Sequence, residues 1–473
     1  MPDQRNQKRD LVIIGGGAGG LVVASVAAQL GLDVVLIEKN PQPGGDCLHF
    51  GCVPSKALLN IAHVAHTVRQ ASGYGIETGI PEINIDKVDA SIQRAIDTIA
   101  PHDSRERFEG LGCEVRTGTA HFLSSHSVQV DNQVIHAKKI VLATGSSPFI
   151  PAIEGLTQVD YLTNENMFTM PAIPGSLVIL GAGPVGIEMA QAWARLGSTV
   201  TVIEAAERIL PGMDGEISSS MADKLQQEGI NLLTGQQVLK VSQSGSIIKV
   251  NLAAGDSVRA EKLLVAAGRR PMLADLALDK AGVKYSDRGV DVNARMQTSV
   301  KHIYACGDVT GAMALTHVAE QQAGVVIANI VFKLPRRIDY RVVPVVVYTD
   351  PECAQIGCLD NQMTDNKYEV VRFDMRGLDR AITDNNTAGF VKLIVRRGRL
   401  TGACIMGPRA GDVIHELALA MNEKIKLSRI ASLVHAYPSY AQINRRAAGA
   451  YFGRTLYSSR TRMLVKWLHR LLP

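Results

Sequence analysis

The sequence predicts an α/β protein built from two β-α-β units, with a separate α+β region after them. Three observations lead there. A short apolar run ending in glycines occurs twice, at residues 11–14 and 177–180. Each run is followed by an Ala-rich helical stretch and then by a second apolar run closed by a glutamate. In both copies 23 residues separate the first glycine from that glutamate, Gly15 to Glu38 and Gly181 to Glu204. Self-similarity at a fixed spacing is a strong organisational signal.

Taken in order, residues 11–14 read as a buried strand, because a continuous apolar run is bounded by turn residues. Residues 21–30 read as a helix and 33–37 as the next strand. A helical, mixed-charge stretch covers about residues 55–110, and the alternation after it suggests a small sheet. The second copy places a strand at 177–180, a helix at 184–196 and a strand at 199–203. Breaks fall near 148–155 and 268–271. After Pro344 the character changes. VVPVVVYTDPECAQIG is strand-like, residues 389–404 alternate as a strand pair, and 410–421 and 427–433 read as helices. This is an α+β pattern.

Composition narrows the function classes. The chain has 473 residues, enough for several cores. Hydrophobic residues are 46% and charged residues 20%, which excludes a wholly disordered chain. No run approaches about 18 apolar residues, so a spanning helix is not expected. The N-terminus, MPDQRNQKRD, is polar, and the apolar stretch after it breaks into glycines. That pattern is not a secretory leader, so a cytoplasmic protein is expected. The seven cysteines are odd in number and sparse, which argues against a disulfide framework and draws attention to close pairs. The net charge of +5 is uneven: ten of the 50 Lys and Arg, and none of the 45 Asp and Glu, fall in residues 424–473. The rest of the chain is net acidic, so a general nucleic-acid surface is not indicated.

Gly15-x-Gly17-x-x-Gly20 follows a strand and opens a helix. The first glycine permits the tight turn, the second lets the backbone approach a pyrophosphate, and the third lets helix and strand pack closely. A diphosphate then sits at the helix N-terminus, where free N–H groups and the dipole favour an anion. Glu38 stands where it can accept hydrogen bonds from a ribose diol. Gly181, Gly183, Gly186 and Glu204 repeat the arrangement, so two dinucleotide sites are expected. A carboxylate at Glu204 repels a 2′-phosphate and favours NADH. Arg208, four residues on, keeps NADPH open.

The second constellation is GGDCLHFGCVPSK, with four residues between Cys47 and Cys52. The pair can close a small disulfide ring at a helix start or can be two buried apolar cysteines. Residues 53–59 read as the helix, with Pro54 in its first turn. A thiolate at a helix N-terminus has a depressed pKa. Cys353 and Cys358 share the spacing but lack the glycine loop, and read as packing.

Through these motifs the chain resembles the pyridine nucleotide–disulfide oxidoreductases. That family includes dihydrolipoyl dehydrogenase, glutathione reductase and mercuric reductase. The resemblance rests on both glycine motifs, GGDCLHFGCVPSK, Ala143 to Gly145 (ATG), Gly268 to Pro271 (GRRP) and Ile303 to Asp308 (IYACGD). It implies two Rossmann-like dinucleotide-binding domains, the second inserted in the first, and a C-terminal α+β dimerisation domain. The implied limits are 1–155 and 275–342 for FAD, 156–274 for NAD(P), and 343–473 for pairing of a homodimer. Gly15, Gly17, Gly20 and Glu38 are implied to bind FAD, Asp308 to hold its ribityl chain, and Lys56, Thr144, Gly145 and Gly268 to be cofactor-binding. Gly181, Gly183, Gly186 and Glu204 are implied to bind the nicotinamide cofactor. Cys52 would be the thiol next to the flavin and Cys47 the thiol that meets substrate. Lys56 and Glu188 would form an ion pair near the flavin N5.

The departures matter as much as the matches. Disulfide-reducing members carry a His-Pro pair near the C-terminus, with a glutamate five residues after the histidine. Here Tyr437 precedes Pro438, and Gln442 replaces the glutamate. A tyrosine titrating near 10 is a poor base at neutral pH. His435, two residues upstream, is a second candidate acid–base group, weighed against a packing role. The likeness that follows is to mercuric reductase, with Cys47 and Cys52 as transient ligands of a metal-ion acceptor such as Hg(II) and no structural metal. The alternatives are a dihydrolipoyl dehydrogenase-like disulfide reductase with an atypical acid–base group, and a flavin redox sensor or membrane-docked binding protein. Asp46, where the family usually has threonine, is a further departure.

The last fifteen residues are distinctive. Met463, Leu464, Trp467, Leu468, Leu471 and Leu472 fall on one helical face, and Arg462, Lys466, His469 and Arg470 on the other. Residues 459–473 therefore have two fitting occupants for their apolar face: an anionic membrane or the protein's own dimer.

Overall fold

The computed structural model describes residues 8–358, 362–363 and 367–471. The first seven residues of the polar N-terminus and Leu472 of the apolar stripe lie outside the described residues. The chain divides into two compact units.

The first unit comprises Met1–Gly181, Arg195–Ile203 and Gln237–Asp339. It opens with β1 (Arg9–Ile14), α1 (Ala18–Gln29) and β2 (Val34–Glu38). Next come α2 (Gly45–His49), α3 (Cys52–Gln70) and α4 (Ile85–Ile99). The strands β3 (Cys113–Thr117), β4 (Ala120–Ser124), β5 (Ser127–Val130) and β6 (Gln133–Leu142) follow. The second repeat gives β7 (Ser176–Leu180), α5 (Pro184–Leu196) and β8 (Thr199–Ile203), with α5 counted in the second unit up to Ala194. Beyond the helix α6 (Gly215–Gln227), which belongs to the second unit, run β9 (Val238–Ser244), β10 (Ile247–Leu252), β11 (Ser257–Ala260) and β12 (Lys262–Val265). β13 (Ile303–Ala305) and α7 (Thr316–Ile330) end this part.

β3, β2, β1, β6 and β13 pair parallel in that order. β4 and β5 continue antiparallel from β6, so the sheet is mixed. The continuous apolar run of β1 has a physical reason: both faces are buried. Leu11 and Ile13 pack with Val23, Ala24 and Ala27 of α1 and Val326 of α7. Val12 and Ile14 pack with Phe122 and Val128 beneath the opposite face. In the second repeat β8, β7 and β12 pair parallel, with Val200 opposite Leu177 and Leu263 opposite Val178.

The second unit comprises Ala182–Ala194, Glu204–Gln236 and Tyr340–Pro473. Its sheet is antiparallel. β14 (Val345–Val347), β15 (Glu352–Gly357), β16 (Tyr368–Asp374), β17 (Phe390–Arg396) and β18 (Arg399–Gly407) run in the order β14-β15-β18-β17-β16. The helices α8 (Ala410–Asn422), α9 (Leu427–Ser432) and α10 (Gln442–Leu456) share the core of this sheet through Ile414, Leu417, Ile430, Ile443 and Ala447. The chain continues into α11 (Ser459–Leu471). Lys392 on β17 is buried and pairs with buried Asp214 at 2.7 Å, and Asp214 in turn accepts the Glu216 N–H at the start of α6. No helix among the described residues is long and apolar enough to cross a membrane.

Candidate active site

The two glycine motifs fold alike. Gly15 has φ of 109° and Gly181 φ of 103°, the left-handed region that side chains avoid. A Cβ at Gly15 would lie 2.2 Å from the Ala143 carbonyl oxygen, and one at Gly181 would lie 2.5 Å from that of Ala266. The terminal acids also match. The Gly16 N–H donates to Glu38 Oε2 at 2.6 Å and the Asn40 N–H to Oε1 at 2.9 Å. The Ala182 N–H donates to Glu204 Oε2 at 2.7 Å and the Ala206 N–H to Oε1 at 2.8 Å. Each oxygen keeps a second lone pair for a ligand hydroxyl.

The residues fit FAD. α1 begins at Gly17 with no side-chain cap and no acid in its first turn, so its leading N–H groups are left to a diphosphate. The cysteine loop closes against this turn: a Cβ at Gly45 would come 2.7 Å from Gly17 Cα. Asp308 accepts the Ser146 hydroxyl at 2.6 Å, directly after Thr144 and Gly145 of the ATG motif. Arg269, next to Gly268, donates through Nε to Ser146 Oγ at 2.7 Å and lies 3.6 Å from Asp308. The Thr144 hydroxyl donates to the Met272 carbonyl.

Cys52 is the first residue of α3, which is much longer than the 53–59 stretch read from the sequence. Its helix has neither a capping side chain nor an acid in the first turn. Both cysteines are free thiols in this structure. A hydrogen bond from Cys47 lowers the Cys52 thiol to about 6, with further help from Thr316 and the nearby Lys56 charge. Burial and Asp46 act in the opposite sense. The same hydrogen bond, together with burial, raises Cys47 well above an ordinary thiol. The pair therefore holds one proton on Cys47 and a thiolate on Cys52 at neutral pH.

The sequence reading missed three members of this site. Thr316 Oγ1 stands 3.3 Å from Cys52 Sγ. Asn164 Nδ2 donates to Asp46 Oδ1 at 2.9 Å, and Arg269 pairs with Asp46 Oδ2 at 3.1 Å. Arg269 had a signal in the GRRP motif, whereas Thr316 and Asn164 lie in segments with no motif of their own.

The second unit holds the remaining candidates. Gly183 and Gly186 lie at the start of α5, and Glu188 on α5 is buried and accepts the Tyr348 N–H at 2.9 Å. Tyr437 is exposed, and its hydrogen bond to Asp379 raises its pKa further. His435 has a buried ring whose Nε2 lies 3.2 Å from Glu416 Oε2. The same Glu416 oxygen accepts Asn444 Nδ2 at 2.8 Å. His435 is thus built into the α8–α10 packing. Cys353 lies fully buried in β15, in keeping with a packing role.

Residues 9–323 match the family described as pyridine nucleotide-disulphide oxidoreductase, and residues 343–448 match its dimerisation domain. The chain is 34% identical to the mitochondrial dihydrolipoyl dehydrogenase of Pisum sativum, over 96% of this chain and 93% of that protein. It is 32% identical to the dihydrolipoyl dehydrogenase of Geobacillus stearothermophilus, over 95% and 97%. Among solved structures it resembles the Cu(II) complex of the HOCl-induced flavoprotein disulfide reductase RclA from Escherichia coli. That likeness has a TM-score of 0.84 and 26% identity, covering 92% of this chain and 99% of the other. Of the expected enzyme classes, these relatives favour the dihydrolipoyl dehydrogenase-like one, and they give the mercuric reductase likeness no specific support. The chain belongs to the pyridine nucleotide–disulphide oxidoreductase family, flavoprotein oxidoreductases that work with FAD and NAD(P)H.

Proposed function

We propose that this protein uses NADH and FAD to reduce the Cys47–Cys52 pair, and that the dithiol delivers two electrons to a soft metal ion held as a thiolate complex. The observation that carries the choice of acceptor is Tyr437. It occupies the acid–base position of the disulfide-reducing relatives, and Asp379 pushes its pKa up rather than down. Reducing a metal ion needs ligating sulfurs and no proton donor. The RclA structure, a flavoprotein disulfide reductase in complex with Cu(II), supports metal binding on this scaffold by analogy. The second reading, a dihydrolipoyl dehydrogenase-like disulfide reductase, is favoured by the 34% identity to such an enzyme over nearly the whole chain.

Bound FAD supplies the two-electron relay between reduced nicotinamide and the cysteine disulfide. The chain's own residues hold the reactants. Gly15, Gly17, Gly20 and Glu38 bind the dinucleotide, and Thr144, Gly145, Gly268 and Asp308 complete its cradle. Cys52 stays a thiolate because Cys47, Thr316 and Lys56 favour its charge. Cys47 keeps the proton and is the thiol that meets the acceptor. Reducing one Hg(II) to Hg(0) oxidises the Cys52 thiolate and the Cys47 thiol to the disulfide and releases the one proton that Cys47 held. Lys56 and Glu188 act beside the flavin.

The NADH preference rests on Glu204 and on Arg208. Arg208 Nη2 donates to the carbonyls of Pro211 at 3.0 Å and Met213 at 3.1 Å, which favours Glu204 as the group set for the ribose. Residues 1–155 and 275–342 form the FAD domain and 156–274 the NADH domain. Residues 343–473 form the dimerisation domain with the basic amphipathic helix at its end, and two subunits pair through the part ahead of that helix, bringing the Tyr437 segment over Cys47 of the other subunit. The odd, sparse cysteines suit a reducing cytoplasm.

The deciding experiment is anaerobic NADH consumption by the holoprotein, with thiol-complexed Hg(II) and lipoamide offered in parallel. Turnover with metal but not lipoamide supports the main reading. Turnover with lipoamide alone replaces it with the second. Absence of flavin reduction by NADH removes both and leaves a redox sensor.

A further inference from the structure

The final helix has no place in the chemistry above. α11 is a regular helix over the described residues, opened by Ser458, whose Oγ accepts the Thr461 N–H at 3.3 Å. Yet it buries none of its residues. Met463 is 71% exposed, Leu464 53%, Trp467 58% and Leu471 55%. Five apolar side chains, with Leu468, form one stripe, and Arg462, Lys466 and Arg470 line the opposite side with His469. No acidic residue occurs from Lys424 to the end of the chain.

We infer that α11 lies in the interface of an anionic lipid bilayer, with its apolar stripe in the acyl boundary and its basic side chains among the headgroups. Charge complementarity selects this occupant. An anionic surface attracts Arg462, Lys466 and Arg470 together, whereas the same helix from a second copy, which also carries Arg460, would bring four more cations and no acid. The family's dimerisation domain ends at residue 448, before α11 begins. The described helix, at 1.5 Å per residue, is roughly 20 Å long, too short to span a bilayer of ~30 Å. It therefore lies on the surface. The inference is independent of which acceptor the dithiol serves.

The test uses the full-length holoprotein and vesicles of phosphatidylcholine alone or mixed with phosphatidylglycerol. The protein pellets with the mixed vesicles and not with phosphatidylcholine. Arg462→Gln, Lys466→Gln and Arg470→Gln together weaken that binding on the order of 100-fold. Trp467→Ser with Leu468→Ser also abolishes pelleting. Trp193 is buried, so a blue shift of tryptophan emission on vesicle addition reports Trp467. Equal pelleting of wild type and both variants overturns the inference. So does a shift from dimer to monomer in the Trp467→Ser, Leu468→Ser protein on gel filtration, because that outcome places the stripe in the subunit contact.

Discussion

Asp46 and Arg269 form an ion pair at 3.1 Å that ties the cysteine loop to the strand region beside Asp308. Both partners are about a third exposed or less, so the pair contributes about 1 kcal/mol or less to stability. Its larger effect is electrostatic. The Asp46 charge opposes ionisation of Cys52. Asp46→Asn lowers the Cys52 pKa below about 6 and barely changes the melting temperature. Site-resolved alkylation of the reduced protein against pH checks the first expectation. An unchanged or raised inflection would falsify it.

Wild-type Cys52 alkylates with an inflection near pH 6, because its thiolate is present above a depressed pKa and lost as pH falls through it. Cys47→Ala removes the largest stabilising hydrogen bond and moves the inflection up toward the ordinary thiol value. Thr316→Val moves it in the same direction by less. An inflection that stays put in Cys47→Ala means the helix and Lys56 alone set the Cys52 charge.

Tyr437→His restores a group that titrates near neutrality to the C-terminal segment. Lipoamide-dependent NADH oxidation rises by about 10²-fold, the lower end of general acid–base contributions. Tyr437→Phe leaves metal-dependent oxidation within about twofold. Initial rates for the three proteins with both acceptors decide it. Lipoamide turnover that is already fast in wild type and unmoved by Tyr437→His removes the role assigned to that position.

The Lys392–Asp214 pair concerns the second unit's stability rather than its chemistry. Both side chains are buried, and Asp214 also caps α6. Lys392→Met leaves a carboxylate without its cation and costs about 3–5 kcal/mol, as breaking buried pairs does. Lys392→Met with Asp214→Asn recovers much of that loss. Urea denaturation followed by circular dichroism measures both. A single-variant loss below about 1 kcal/mol would show that water screens the pair.

The second repeat was legible to within one residue, and the first to within about three residues, its helix starting at Ala18 rather than at residue 21. The helix expected at 184–196 and the strand at 199–203 are the observed α5 and β8. Glycine turns and fully buried strands leave strong local signatures, so this success has a physical basis. α3 was read too short because its buried positions after Leu58 are Ala62 and Ala65, which carry little apolar signal. The thiol pair was legible as a motif, but its ionisation was not. Thr316, Asn164 and Arg269 reach Cys52 and Asp46 from distant parts of the chain, and only the fold brings them there. The exposure of Tyr437 and the anchoring of His435 by Glu416 likewise depend on tertiary packing.

Glu38 and Glu204 each bracket two backbone positions, the residue after the first glycine and the residue two beyond the acid itself. The acid that reads the ribose is therefore also a clasp on the loop that holds the diphosphate. Exchanging Glu204 for a small or basic residue to admit a 2′-phosphate unfastens two N–H groups at the same stroke. A switch of coenzyme in this scaffold needs at least two coordinated changes, one for the new ligand group and one to close the loop again. Evolutionary drift between the two nicotinamide coenzymes is thereby slowed by the backbone, whatever the acceptor at the other end of the electron path.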